Sequence, residues 1–455
     1  MRHVLGELLD RLVPAGFARH VSVLVGGTAF AQALMLLALP VLTRLYTPDD
    51  FAVLAVYASL LAILASVACL RLEIAIPMPE QDEVAVNLII LALLAAVGIT
   101  MVVCLGLLLF SNEIAALLGK PALAAYLWLV PIGLLGSASF AATQYWMTRK
   151  KRFPAIARAR IRQSTAGVST QLLFGYFAAG PFGLILGQVI TLTGGVILLG
   201  RSALRDIRPL LNQISARTLR ATLAEYQKFP KFSTLEAFSN SGAVQLPVLL
   251  IAAYVAGPEV GFLMLAMKIM AVPMTLLGTG VGQVYLSQAS EHYREGKLPA
   301  FTAEVLKNLC RIGAPLILIG GLLAPHLFPL VFGREWQRAG ELVLWMVPWF
   351  VFQFMSAPIS MALHVTSHQK VALGLQLAGL AIRVLSVLAA VWVGMRGQVT
   401  EAYILSGAAF YALYLVTVLV VVKVPVRNVV RALLPGTAAC VAILALYGFA
   451  FTLVS

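Results

Sequence analysis

Apolar runs long enough to cross a bilayer follow one another along almost the whole chain, and this feature limits the fold more than any other. A helix needs roughly 20 apolar residues to span about 30 Å of hydrocarbon. Lipid offers no partner for a backbone N–H or C=O, so each such run has to be helical. About 13 runs can be read, near 20–45, 51–70, 84–110, 122–147, 161–180, 182–203, 231–256, 259–287, 307–332, 340–364, 369–394, 401–422 and 429–453. With 60% hydrophobic and 11% charged residues, the chain is expected to be an all-α polytopic membrane protein of about 13 transmembrane helices.

The charge pattern orients those spans. Cytoplasmic loops collect Lys and Arg, and with the N-terminus placed in the cytoplasm 26 of the 33 basic residues fall on that side and five on the other. The net charge of +14 therefore describes a surface facing anionic membrane lipid, and no nucleic-acid partner is expected. The first 20 residues precede a run too long for a signal-peptide core and are expected to stay attached as a cytosolic tail. Residues 201–230 form the longest polar interval, with apolar positions at helical spacing, and read as an amphipathic cytosolic linker. The chain thus divides into an N-terminal lobe over 1–200, the linker over 201–230, a C-terminal lobe over 231–425 and an extra span over 426–455. Leu39-Pro40-Val41-Leu42 in the first span recurs as Leu246-Pro247-Val248-Leu249 in the seventh, as a parallel repeat of six-span halves would produce. Proline inside these two spans makes them candidates for helices that bend. The six tryptophans are expected to anchor at membrane interfaces.

Two cations interrupt the apolar runs of the second half. A Lys or Arg at mid-bilayer costs roughly 2.5–3.5 kcal/mol on insertion scales, so it normally faces protein or a water-filled cavity. Lys268 and Arg383 both lie about 15 Å from the outer ends of their spans at 1.5 Å per residue, and are expected to line one cavity. Gln376 precedes Arg383 by seven residues on the same helix face, with Gly379 between them leaving room, and Thr275 stands in the same relation to Lys268. Together these side chains suit a phosphate-bearing head group held by charge-assisted hydrogen bonds. The competing reading is a structural ion pair with Glu236, which shares a face with Ser239 and Asn240 in the seventh span. Glu236 and Asn240 are also the candidates for ion coupling. Polar neutral residues of the first half, among them Gln32, Thr143, Gln144, Gln163, Ser164, Gln171 and Gln188, are expected to join helices to one another, and Gly278 and Gly282 to form a packing face. The four cysteines have neither disulfide nor metal-ligand spacing. No HExxH, GxSxG or Walker pattern is present, and no enzyme activity, cofactor or metal is expected.

Four blocks resemble a known family. PVLTRLYTPDDFAVLAVYASL over 40–60, LRLEIAIPMP over 70–79, FPKFSTLEAFSNSGAVQLPVLLI over 229–251 and MAVPMTLLGTGVGQVYLSQASE over 270–291 resemble the bacterial polysaccharide-biosynthesis flippases of the multidrug, oligosaccharidyl-lipid and polysaccharide exporter superfamily. The resemblance covers nearly the whole chain. It implies two six-helix lobes around a central cavity that move a polyprenyl-diphosphate-linked glycan across the bacterial inner membrane, alongside a polysaccharide polymerase or glycosyltransferases. Cationic cavities are a feature of such flippases, which places the expectation on Lys268 and Arg383. Arg44 and Arg71 fall in family-pattern blocks at span ends, where they serve either the substrate or the interface. Three other readings stay open: an exporter of drugs or small amphiphiles, a membrane-embedded polymerase or ligase, and a scaffold. Acidic residues are missing from the N-terminal spans, which argues against drug export, and the short outer loops argue against an enzyme.

Overall fold

The computed structural model describes residues 15–274, 279–366 and 368–454, and among these the regular structure is helical throughout. Nine helical stretches among the described residues are long and apolar enough to cross a membrane. The chain divides into two compact units, Met1–Ser241 and Gly242–Ser455.

In the first unit, α1 (Ala15–Leu45) leads through a tight corner to α2 (Pro48–Val67). The corner is written in Tyr46-Thr47-Pro48-Asp49-Asp50. Thr47 caps α2, with its hydroxyl accepting from the Asp50 N–H (3.2 Å) while the Asp50 carboxylate accepts from the Thr47 N–H (2.9 Å). Pro48 occupies the first turn, where its missing N–H costs nothing. Tyr46 is buried and donates to the Gln171 carbonyl at 2.6 Å, tying the corner to α6. After the short α3 (Leu72–Ala75) come α4 (Asp82–Leu117), α5 (Leu129–Arg149), α6 (Phe153–Tyr176), α7 (Pro181–Thr193) and α8 (Val196–Ile207). Three of the neutral polar residues join helices of this unit, Ser164 donating to Ala31 O (2.9 Å), Gln163 to Leu192 O (3.4 Å) and Gln171 to Leu184 O (3.2 Å), whereas Thr143 turns back on its own helix to Ser139 O (2.8 Å). The linker contributes α9 (Ala216–Glu225), capped by Ser215 and packed on α4, where Asn87 Nδ2 donates to Thr222 Oγ1 at 3.3 Å.

The second unit holds most of α10 (Thr234–Tyr254), then α11 (Glu259–Pro273), α12 (Thr279–Arg294), α13 (Leu298–Phe332), α14 (Gln337–Ile359), the short α15 (Ala362–Val365), α16 (Gln369–Trp392), α17 (Val399–Val422) and α18 (Val426–Val454). Its packing runs from α18 to α13, α14, α17 and α16. At the α13–α18 seam Cys310 Sγ donates to Leu433 O (3.6 Å) and His326 Nε2 lies 3.2 Å from the Tyr447 hydroxyl. Gly436 sits so close that a Cβ there would come within 2.4 Å of Cys310 Sγ. One guanidinium gathers three helix ends: Arg338 on α14 bonds Glu259 (2.9 Å) in the first turn of α11, Glu341 (3.3 Å) on its own helix, and Glu401 in the first turn of α17.

Several expectations change. The span expected over 182–203 is one of the nine apolar stretches and carries a turn at Gly194-Gly195 between α7 and α8. Of the run expected as one span over 259–287, α11 covers Glu259–Pro273 and α12 begins at Thr279, and residues 275–278 lie outside the described residues. Pro40 and Pro247 both lie inside their helices. Trp128, Trp345 and Trp392 are exposed, in keeping with interfacial anchoring, whereas Trp146, Trp336 and Trp349 are buried in the core. Two of them have partners in the protein that compete with the interface: Trp146 Nε1 donates to Asp206 at 3.2 Å, and Trp336 meets the Phe262 ring edge-on. The basic cluster 149–152 is more than a topology signal. Arg149 and Lys150 hold Asp82 at the start of α4, and Arg152 holds Asp206 on α8 at 2.9 Å. Gly278, part of the expected packing face, and the first 14 residues of the tail lie outside the described residues.

Candidate functional site

Arg383 lies in the middle of α16 and is 4% exposed. Its guanidinium carbon sits over three rings, 4.8 Å from the centroid of Phe410, 5.4 Å from that of Trp349 and 5.4 Å from that of Tyr411. Two glycines make the enclosure: a Cβ on Gly379 would meet Phe410 at 2.7 Å, and one on Gly407 would meet Trp349 at 2.5 Å. Gly379 thus leaves room for a ring of α17 beside Arg383, where the sequence suggested room beside Gln376. Cation–π contact of a desolvated Arg is worth about 2 kcal/mol or more, which offsets part of the cost of burial. The charge has no carboxylate partner among the described residues. Nη1 reaches the Ala243 carbonyl of α10 at 3.4 Å, and Nε has no partner.

Two further donors at this place are also unsatisfied. Trp349 Nε1 and the Tyr403 hydroxyl are buried without a hydrogen bond, and the two rings pack edge to face at 5.3 Å. Buried donors normally find acceptors, and each one left alone costs roughly 1–3 kcal/mol. A guanidinium with an unsatisfied Nε, an indole N–H and a phenol hydroxyl collected in one place are chemically suited to an oxygen-rich anion.

Lys268 is half-buried on α11 and makes neither ion pair nor hydrogen bond among the described residues. Gln376 is half-buried on α16, two turns before Arg383. Thr275 lies outside the described residues. Glu236 and Asn240 are exposed on the first turns of α10, and Glu236 pairs with no cation among the described residues. Arg44 is exposed in the last turn of α1.

Arg71 belongs to a strained corner. Leu70 and Arg71 both adopt the left-handed conformation, with φ of 50° and 59°, which costs a non-glycine residue about 1–3 kcal/mol. The turn folds Glu73 inward to 6% exposure, with Arg71 Nη1 at 3.5 Å from Glu73 Oε1 and the other carboxylate oxygen unpaired. Burial raises the Glu73 carboxyl above the ordinary carboxylate range, against the opposing pull of its own backbone N–H and Arg71. Sequence reasoning missed Glu73, Trp349, Tyr403, Phe410 and Tyr411. Gly379 and Gly407, which leave room for two of the rings, are the signal that could have found them, though glycine alone does not say what fills the space.

No metal-binding group of His, Cys, Asp and Glu occurs among the described residues. In architecture the chain is similar to the lipid II flippase MurJ in an inward closed conformation, with TM-score 0.70 at 14% identity over 93% of this chain and 92% of that one. A multidrug resistance MATE family transporter in an inward-facing conformation follows at TM-score 0.62 and 15% identity, over 86% and 94% of the two chains. A superfamily transporter from Pyrococcus furiosus, described as having a binding pocket of reverse polarity, is similar at TM-score 0.52 and 15% identity, over 89% and 95%. No curated protein matches the chain by sequence. The family model for polysaccharide biosynthesis proteins matches residues 41–341, a stretch that begins in α1 and ends in α14, and the chain belongs to that family.

Proposed function

We propose that the protein flips a polyprenyl-diphosphate-linked oligosaccharide from the cytoplasmic to the periplasmic leaflet of the bacterial inner membrane, by alternating access, for cell-surface polysaccharide synthesis. Family membership and the fold shared with a lipid II flippase support the class of cargo. The observation that carries the reading is a set of buried donors in the second unit that lack acceptors, Arg383 Nε, Trp349 Nε1 and the Tyr403 hydroxyl, together with Lys268, which makes no ion pair among the described residues. A diphosphate and sugar oxygens supply what these groups lack. Exposed charge in hydrocarbon is prohibitive, so the head group travels through the protein while the prenyl chain stays in lipid. The reading has 13 spans with the N-terminus in the cytoplasm, the nine apolar stretches being joined by α1, α5, α6 and the α11–α12 pair, arranged as two lobes about the cavity and one additional helix. Drug export finds less support, because the apolar helices of the first unit enclose no carboxylate at mid-span to attract a cation.

The test is the leaflet distribution of the lipid-linked unit in cells lacking the gene, read with an enzyme that modifies only outward-facing glycan. Intact units are expected to accumulate on the inner leaflet. Lys268→Ala should restore less than about a tenth of outward-facing glycan at unchanged protein level, and Lys268→Arg should restore more. Single units that reach the outer leaflet of the deletion strain and stay unpolymerised would overturn the flippase reading in favour of a polymerase or ligase.

A further inference from the structure

The geometry of α8 points to a binding site for the phosphate head group of an anionic phospholipid, formed by Arg201, Arg205 and Arg208. α7 has 13 residues, about 20 Å of helix at 1.5 Å per residue, which is too short for a bilayer core of about 30 Å. The span therefore borrows the start of α8. About 20 residues counted from Pro181 bring the chain to Arg201, so the first of the three arginines stands where hydrocarbon gives way to head groups.

Arg201, Arg205 and Arg208 follow at intervals of four and three, which places them on one helix face. With Leu204 and Pro209 they line a concavity of about 410 Å³. All three are exposed and make no ion pair or hydrogen bond among the described residues. The one acid of α8, Asp206, faces away from them: Arg152 holds it at 2.9 Å and Trp146 Nε1 at 3.2 Å. Three like charges within two turns repel one another, and nothing in this face neutralises them. Ile197, Leu204 and Leu211 are exposed beside the arginines, while Leu199, Ala203 and Ile207 on the opposite side are buried. An apolar strip next to a guanidinium cluster is the pattern of a helix edge at the membrane interface, with acyl chain against the strip and phosphate against the fork of donors. A free phosphate would satisfy the arginines and leave the apolar strip unmatched. The occupant that fits both is a diacyl phospholipid with a net negative head group. This inference does not depend on what the protein transports.

Full-length protein in detergent, doped with equal amounts of phosphatidylglycerol or phosphatidylcholine and examined by native mass spectrometry, tests it. The wild type is expected to retain phosphatidylglycerol and shed phosphatidylcholine. The triple variant R201Q/R205Q/R208Q should bind phosphatidylglycerol about tenfold more weakly. R217Q/R220Q/K228Q removes the same charge from the segment that follows, over 217–228, and should bind within about twofold of wild type. Arg205→Gln alone, at an exposed position, serves if the triple variant does not fold, with an expected loss of about two- to fivefold. Equal weakening in both triple variants would mean diffuse attraction and no site. Equal retention of phosphatidylcholine, or displacement of phosphatidylglycerol by an equimolar polyprenyl diphosphate or by inorganic phosphate, would overturn the assignment as well.

Discussion

Arg383 and Lys268 could be found in the sequence because a single cation in an apolar run is costly and therefore rare. The surroundings of Arg383 could not. Its three rings come from α14 and α17, and an aromatic residue in an apolar helix looks the same in sequence whether it fills a core or encloses a guanidinium. Glu73 was hidden for a different reason. It falls between apolar runs, in a segment that reads as a polar loop, and its burial depends on left-handed backbone at Leu70 and Arg71, two residues that do not announce it. A raised carboxyl means that the folded protein keeps a proton which the unfolded chain releases. The sign follows directly: stability is expected to fall as pH rises from roughly 4, the ordinary carboxylate range, towards the raised folded value, by up to about 1.4 kcal/mol per pH unit for this one group. Glu73→Gln should flatten that slope and be more stable than wild type at neutral pH, as thermal unfolding in detergent between pH 4 and pH 8 would register. A slope unchanged by Glu73→Gln would assign the pH dependence to other groups.

At the level of helices, apolar length identified where the spans lie, and punctuation decided how they are built. Gly194-Gly195 places a turn inside one expected span, because hydropathy is blind to a turn that leaves the apolar composition intact. The Tyr46-to-Asp50 corner shows the reverse case, since its turn chemistry is local and fully legible in the residues. Contacts between distant helix ends are not legible in this way. Arg338 draws carboxylates 79 and 63 residues away in sequence, and Glu259 and Glu401 are placed at helix starts, where the helix dipole also favours a negative charge. Arg338→Met is expected to destabilise the second unit by about 2–3 kcal/mol. That lies below the 3–5 kcal/mol of a fully buried pair because the side chain keeps some exposure. Arg338→Lys should lie between the two, as it keeps the charge and loses the fork. Thermal unfolding of the purified variants would measure both, and a loss under 1 kcal/mol in Arg338→Met would show that the three helix ends are held by packing alone.

For the molecule as a whole, the distribution of Lys and Arg carries the proposed orientation, with the N-terminus in the cytoplasm. An odd number of spans puts the two termini on opposite sides. A phosphatase fused after Ser455 should therefore be active in the periplasm, and a fluorescent protein fused at the same place dark. The opposite pair of results would reduce the count to an even number. The seam between α13 and α18 also bears on how the second unit is made. Gly436 fits against Cys310 so closely that α13 cannot complete its packing until α18 is present, and roughly a hundred residues separate the end of one helix from the start of the other. At about 5–20 residues per second of synthesis, α13 waits in the bilayer for roughly 5–20 s with one flank against lipid. A ribosome stalled in that interval would leave a nascent chain whose second unit is inserted and unclosed, vulnerable to membrane quality-control proteases until the last helix arrives.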